Sequence, residues 1–245
     1  MTCNSERHLR EVLDALVDVA DDIVALDSGS SDSTLNILAE YPAVRVFHRS
    51  FDNFRDQRNH AASLCRYDAV FYVDSDEVID AELAGELRRL KSGDSLGQVA
   101  YRFRRRWFAL GSPVHALYPV VSPDCVVRLF DRRQVSFCDR QVHETISGYT
   151  ECRTLGGSLL HMTFHDRAEL DAKLQLYTSL AASDLLSLHR HISPFRLLFD
   201  PIAAWVKWYF LKRGFLDGRV GLTLAAYAYR YTRAKYLKAR RLSKI

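Results

Sequence analysis

Asp74, Ser75, Asp76 and Glu77 follow the apolar run Phe71-Tyr72-Val73. Three carboxylates within four residues repel one another. Three explanations fit such a cluster: a bound cation, an aspartate that becomes phosphorylated, or a plain acidic helix start. Hard divalent cations take oxygen ligands, and Mg²⁺ typically uses one or two carboxylates together with substrate phosphates. A metal on Asp74 and Asp76 would offset both the carboxylate repulsion and the charge of a leaving diphosphate. Asp27 has a similar setting, at the end of the run Ile23-Val24-Ala25-Leu26 and ahead of the small polar loop SGSSDS.

The elements around these acids determine whether they meet. Leu9, Val12, Leu13, Leu16 and Val17 recur at helical spacing, which predicts an amphipathic helix over 6–20, capped by Asn4 or Ser5. Residues 23–26 read as a buried strand, as do 44–47 and 69–73. Helices are predicted after the 28–33 loop, over 53–66, and after Asp80 as a cap. This β-α-β-α-β alternation predicts an α/β fold with a mostly parallel sheet and helices on both faces. Ligands in such sheets bind beyond the carboxyl ends of the strands, where Asp27 and Asp74 lie. From about residue 97 the pattern changes. QVAYRFRRRWF alternates as a strand does, and 126–130 and 158–164 are further strand candidates. From about 168 the chain reads as helical.

The chain has 245 residues and is 48% hydrophobic, enough for one large domain or a domain with an appendage. Its net charge of +4 is unevenly spread. Residues 1–94 hold 10 Lys/Arg against 19 Asp/Glu, net −9, and the remainder holds 24 against 11, net +13. The five cysteines have no C-x-x-C spacing, which argues against a zinc knuckle and reads as reduced thiols. There is no signal-peptide pattern and no uncharged apolar run of membrane-spanning length. FRLLFDPIAAWVKWYFLKRGF, 195–215, mixes Trp, Tyr, Phe, Lys and Arg. It suits either a helix lying in a membrane interface or a buried core helix, and the basic tail after it favours an anionic surface. That tail would also suit nucleic acid, but no recognition motif accompanies it, so no nucleic-acid partner is expected.

Several segments taken together resemble glycosyltransferase family 2, of the GT-A fold: TCNSER at 2–7, VALDSGSSDST at 24–34, QRNHA at 57–61 and YVDSDE at 72–77. VVRLFDRR at 126–133, QVHE at 141–144, SLLHMTF at 158–164 and KRGFLDG at 212–218 extend the likeness over nearly the whole chain. Their order resembles the lipopolysaccharide core, β-1,4-glucosyltransferase-like group. The resemblance implies a GT-A domain over 1–165, with a nucleotide half (1–95) and an acceptor half (96–165), and a C-terminal helical extension over 166–245.

It also implies roles. Thr2, Asn4 and Asp27 would hold the base or ribose of a nucleotide-sugar donor such as UDP-glucose, with Arg58 near its phosphates. Asp74 would hold ribose or metal, and Asp76 would coordinate Mg²⁺ or Mn²⁺ on the diphosphate. His161 would be a further metal ligand or contact the diphosphate, or else is a core histidine. Glu144 would be the general base of an inverting transfer, which needs a carboxylate to take the acceptor hydroxyl's proton. His143 and Arg128 would meet the acceptor, a lipid-linked saccharide at the cytoplasmic face of a bacterial inner membrane. Two departures stand out. The buried strand that precedes the first motif in related sequences is expected to be absent, and Ser5 replaces a usual glutamate. Two rivals follow: a haloacid dehalogenase-type phosphatase with Asp74 as nucleophile, and an inactive membrane-associated binding protein.

Overall fold

The computed structural model describes residues 1–91, 99–138, 145–187 and 192–243. In chain order the elements are α1 (Leu9–Val17), β1 (Ile23–Asp27), α2 (Thr34–Ala39), β2 (Val44–His48), α3 (Phe54–Leu64), β3 (Ala69–Phe71), β4 (Glu77–Ile79) and α4 (Ala81–Lys91). There follow β5 (Val99–Ala109), β6 (Ser112–Pro113), β7 (Ala116–Leu117), β8 (Val120–Val121), β9 (Asp124–Asp131), β10 (Ser136–Cys138), β11 (Thr145–Ser147) and β12 (Glu151–Thr163). The chain ends in α5 (Arg167–Ser187), α6 (Pro194–Val206), a π-helical turn (Lys207–Leu211), a 3₁₀ turn (Gly214–Asp217) and α7 (Gly218–Leu242). The fold is α/β with a C-terminal helical region. It divides into two compact units: residues 1–105 with 125–161, and 106–124 with 162–245.

In the first unit β1 and β2 pair in parallel, Ile23 opposite Val44 through Asp27 opposite His48. Parallel neighbours need a crossover, and α2 supplies it. A second sheet has the order β3-β9-β5-β12-β4, with β3 antiparallel to β9 and β4 antiparallel to β12. The sheet structure is therefore mixed rather than mostly parallel. The parallel expectation rested on helices between strands, and the strands that flank β3 and β4 come from the later, strand-rich part of the chain instead. Leu9 and Leu13 of α1 pack with Ala25, Ile37, Leu38 and Val44. Val17, assigned to the same face by periodicity, is 37% exposed. The helix start also differs from expectation: His8 is the N-cap of α1, while Asn4 takes a left-handed backbone (φ 50°) and turns toward the loop after β1. Asp80 does cap α4, accepting from the Leu83 N–H at 2.8 Å.

The QRNHA segment is a clamp. Gln57 is buried, and its Nε2 donates to Ser28 Oγ (2.8 Å) and the Arg49 carbonyl (3.0 Å), tying α3 to the loop after β1. Asn59 exchanges two hydrogen bonds with the Phe137 backbone, at 2.9 and 3.0 Å, tying α3 to β10. A cavity of about 420 Å³, lined mainly by apolar side chains, lies between β1 and β3.

The second unit is mainly α5, α6 and α7. Its core joins Val114 and Leu117 to Leu170, Leu174, Leu224 and Tyr227. The KRGFLDG segment has a local explanation. The Asp217 carboxylate accepts from the backbone N–H groups of His115 (2.8 Å) and Ala116 (3.3 Å) and pairs with the His115 ring at 2.5 Å. Gly214 and Gly221 meet so closely that a Cβ on Gly221 would lie 1.8 Å from the Gly214 carbonyl oxygen. The core alternative for 195–215 does not hold for most of its length. Pro201 and Trp208 are buried, but Phe195, Leu198, Phe199, Ile202, Phe210 and Leu211 are exposed.

Candidate active site

Two loops at the carboxyl ends of β1 and β3 carry the acids singled out above. Asp27 is 1% exposed. Its carboxylate accepts from the Gly29 and Ser30 N–H groups (both 2.9 Å), Ser30 Oγ (2.5 Å) and Thr2 Oγ1 (3.0 Å). Burial alone would raise its pKa, but these hydrogen bonds from Ser30, Gly29 and Thr2 hold it below the usual aspartate value. Thr2 also forms a parallel bridge to Asp27. Asn4 Oδ1 accepts from the Ser31 N–H at 2.8 Å, and the Asn4 N–H donates to Ser30 Oγ at 2.9 Å. The loop is thus preformed around Asp27, with Thr2 and Asn4 bonded to it.

The acidic turn is built differently. Backbone pairing of β3 against β9 continues to the Tyr72 N–H, which donates to the Arg128 carbonyl at 2.8 Å. The chain then turns, and the Glu77 N–H bonds the Asp74 carbonyl at 3.0 Å. Glu77 is fully buried and begins β4, in register with His161 of β12. One Glu77 oxygen lies 2.6 Å from Arg128 Nη2, 3.2 Å from Arg105 Nη1 and 3.5 Å from His161 Nδ1. Burial opposes its charge, but Arg128, His161 and Arg105 outweigh that and hold the carboxyl well below its usual range. Asp74 accepts from Arg128 Nη2 (2.8 Å) and the Tyr72 hydroxyl (2.5 Å).

The three acids therefore play unequal parts. Asp74 and Glu77 are held by internal cations, whereas the Asp76 side chain is 43% exposed and lies 3.5 Å from His161 Nδ1. Desolvation by neighbouring groups raises the Asp76 pKa, with Asp74 and Glu77 adding and His161 opposing. Among the described residues no set of three or more His, Cys, Asp or Glu side chains is arranged to hold a metal by itself. The donor set still suits a hard divalent cation that takes one or two carboxylates here and the rest of its oxygens from a diphosphate.

Serine at position 5 joins the two loops. Ser5 Oγ is 2.8 Å from Ser75 Oγ in the acidic turn, while the Ser5 N–H donates to Thr34 Oγ1 at 2.7 Å. Residues 2–5 thereby touch both strand ends.

Arg58 and Arg128 are placed otherwise than a solvent-facing phosphate clamp would be. The Arg58 guanidinium packs over Phe54, Tyr72 and Phe137 at 5.1–5.4 Å. Arg128 is 5% exposed and lies 4.9 Å from the Tyr72 ring centre, with its hydrogen bonds directed at the acids. It serves as the acidic turn's counter-ion. Arg132 donates to the Ala62, Ser63 and Cys65 carbonyls at the end of α3, and Arg133 pairs with Asp131. His143 and Glu144 lie outside the described residues.

Sequence reasoning gave Glu77 no role of its own within the acidic cluster and passed over Tyr72 and Arg105. Strand alternation carried a signal for the last, because Tyr101, Phe103, Arg105 and Ala109 share one parity in β5. Glu77 had no such signal, since β4 is only three residues long.

Residues 1–112 match the protein family described as glycosyl transferase family 2. An uncharacterized glycosyltransferase of Rickettsia typhi is 23% identical over 241 residues, covering 93% of this chain and 82% of the relative. One from Rickettsia prowazekii matches to the same extent. The crystal structure of S. aureus TarS 1–349 aligns over 99% of this chain and 88% of its own, with 16% identity and a TM-score of 0.42. The likeness to glycosyl transferase family 2 is thus confined to residues 1–112, and together with relatives described as glycosyltransferases it supports a glycosyltransferase.

Proposed function

We propose that the chain is an inverting transferase. It moves glucose or heptose from a nucleotide sugar to a saccharide acceptor of the lipopolysaccharide-core type. The observation that carries this reading is the joining of two acid-bearing strand ends through Ser5 and Ser75, beside a half-exposed Asp76. In this reading Thr2, Asn4 and Asp27 position the nucleoside, Asp74 contacts the ribose, and Arg58 stiffens the wall beside the phosphates. Asp76, with Asp74 and His161 beside it, would hold Mg²⁺ or Mn²⁺. Such an ion supplies charge compensation for the departing diphosphate.

Glu144 takes the proton from the acceptor hydroxyl as that oxygen attacks the anomeric carbon from behind the leaving group. The sugar–acceptor bond forms as the sugar–phosphate bond breaks. His143 orients Glu144 or the acceptor. Arg128 reaches an acceptor phosphate only if its pairing with Asp74 opens. Residues 1–95 would serve the donor and 96–165 the acceptor, while the helical 166–245 would serve the membrane. The acceptor is lipid-linked in this reading, met at the cytoplasmic face of the inner membrane. The phosphatase alternative is not favoured, because Asp74 is bonded to Arg128 and Tyr72 within a glycosyl transferase family 2 match.

The test is calorimetric titration of UDP, UDP-glucose and ADP-heptose, with and without Mn²⁺, into the chain and into Asp76→Ala. Metal-dependent binding that vanishes in the variant supports the reading and identifies the nucleotide. A folded chain that binds none of them sinks it.

A further inference from the structure

Helix α6 is apolar on both sides. Toward the protein, Leu197 joins the cluster of Ala182, Ile192, Tyr236 and Ala239, and Pro201 is buried. Away from it, Phe195, Leu198, Phe199 and Ile202 follow the spacing i, i+3, i+4, i+7 and are 48–74% exposed. Phe210 and Leu211, in the π-helical turn that follows, continue this surface at 53% and 74% exposure. A helix at a protein–water boundary normally turns a polar face outward. An outward apolar stripe of this length marks an interaction surface.

Charge identifies what covers it. From residue 201 onward the sequence holds eleven Lys or Arg and a single acid, Asp217. That acid is spent on His115 and Ala116, with its side chain 1% exposed. Among the described residues, Lys207, Lys212, Arg213 and Arg219 make no ion pair, and they lie in or next to the segment that carries the stripe. Trp205 and Tyr209, residue types enriched at headgroup depth, stack at 5.1 Å within it. An apolar stripe with basic neighbours and interfacial aromatics matches an anionic lipid surface. No described helix is long and apolar enough to cross a membrane, and the 13 residues of α6 span only about 20 Å. That is short of the roughly 30 Å hydrocarbon core.

We propose that the second unit docks on an anionic bilayer by laying α6 and the π-helical turn into the headgroup–acyl boundary, with the neighbouring lysines and arginines on lipid phosphates. This deepens the membrane part of the reading above and rests on it, but its test needs neither donor nor acceptor. The full chain is mixed with vesicles of pure phosphatidylcholine, or of phosphatidylcholine with 30% phosphatidylglycerol, and bound protein is measured by flotation. The expected result is at least tenfold stronger binding to the anionic vesicles, weakened by 0.5 M NaCl. Phe199→Ser with Leu211→Ser should reduce binding to both vesicle types at least tenfold. Lys212→Glu with Arg213→Glu should abolish only the anionic preference.

Phe199, Leu211 and Arg213 are exposed and Lys212 is half-buried, and unchanged near-UV circular dichroism and nucleotide titration would show that both paired variants fold. Failure of the wild-type chain to float with anionic vesicles would overturn the proposal, whatever the nucleotide titration shows. So would a wild-type dimer in sedimentation that Phe199→Ser with Leu211→Ser converts to monomer, since the stripe would then be an interface between copies.

Discussion

The ends of β1 and β3 present the same problem, a carboxylate on a tight turn after an apolar strand, and solve it by different means. At β1 one acid, Asp27, is surrounded by neutral donors from the loop and from Thr2. At β3 three acids meet, and arginines from β5 and β9 balance two of them. Neutral donors can come from residues two or three positions away. Guanidinium groups must be delivered by other strands. A local loop can therefore form the first site, whereas the second exists only once the sheet has assembled. The third acid, Asp76, is the one the sheet leaves partly open.

Breaking the β3 arrangement should have the largest effect. Arg128→Met strips Asp74 and Glu77 of their shared cation and leaves buried charge behind. Removing one partner of such a group destabilises by about 3–5 kcal/mol, to be read as a lower urea midpoint. At β1, Asp27→Ala leaves four donors without their acceptor and should cost about 2–3 kcal/mol. Asp27→Asn sharpens the point through pH. The folded Asp27 pKa lies below its unfolded value, so its contribution is complete above the unfolded pKa, about 3.9. It is lost as pH falls through the folded value. The stability gap between wild type and Asp27→Asn should stay constant from pH 6 to 8 and shrink below about pH 4.

Ser5→Ala cuts a hydroxyl link between the two turns and should cost about 1 kcal/mol. Its informative readout is nucleotide affinity, which should fall although neither loop is itself altered. Asp76→Ala should leave the unfolding free energy, read by urea titration, within about 0.5 kcal/mol of wild type or raise it slightly, because it removes a carboxylate from beside two others. The same variant should lose metal-dependent donor binding. Equal losses of stability at Asp27 and Asp76 would erase the distinction between the two strand ends.

Much of the first unit was legible. Strands ending in Asp27 and near Asp74 follow from short apolar runs, a helix over 53–66 was expected where α3 lies, and α4 follows the Asp80 cap. Less legible was the partnership among strands. Nothing in the spacing of residues 69–79 says that β3 pairs antiparallel with β9, a strand more than fifty residues later.

The sequence by itself determined the acids, their place at strand ends, and the apolar, basic character of 195–215, because each depends on neighbours within a few positions. Only the tertiary structure decided which acids are compensated and which faces are exposed. Arg105 and Arg128 reach Glu77 across the sheet, and Ser5 reaches Ser75 across seventy residues. The outward stripe of α6 is likewise decided by what α7 covers, not by the composition of α6. Charge compensation and burial are properties of surroundings, and the surroundings are set by chain segments far away in sequence.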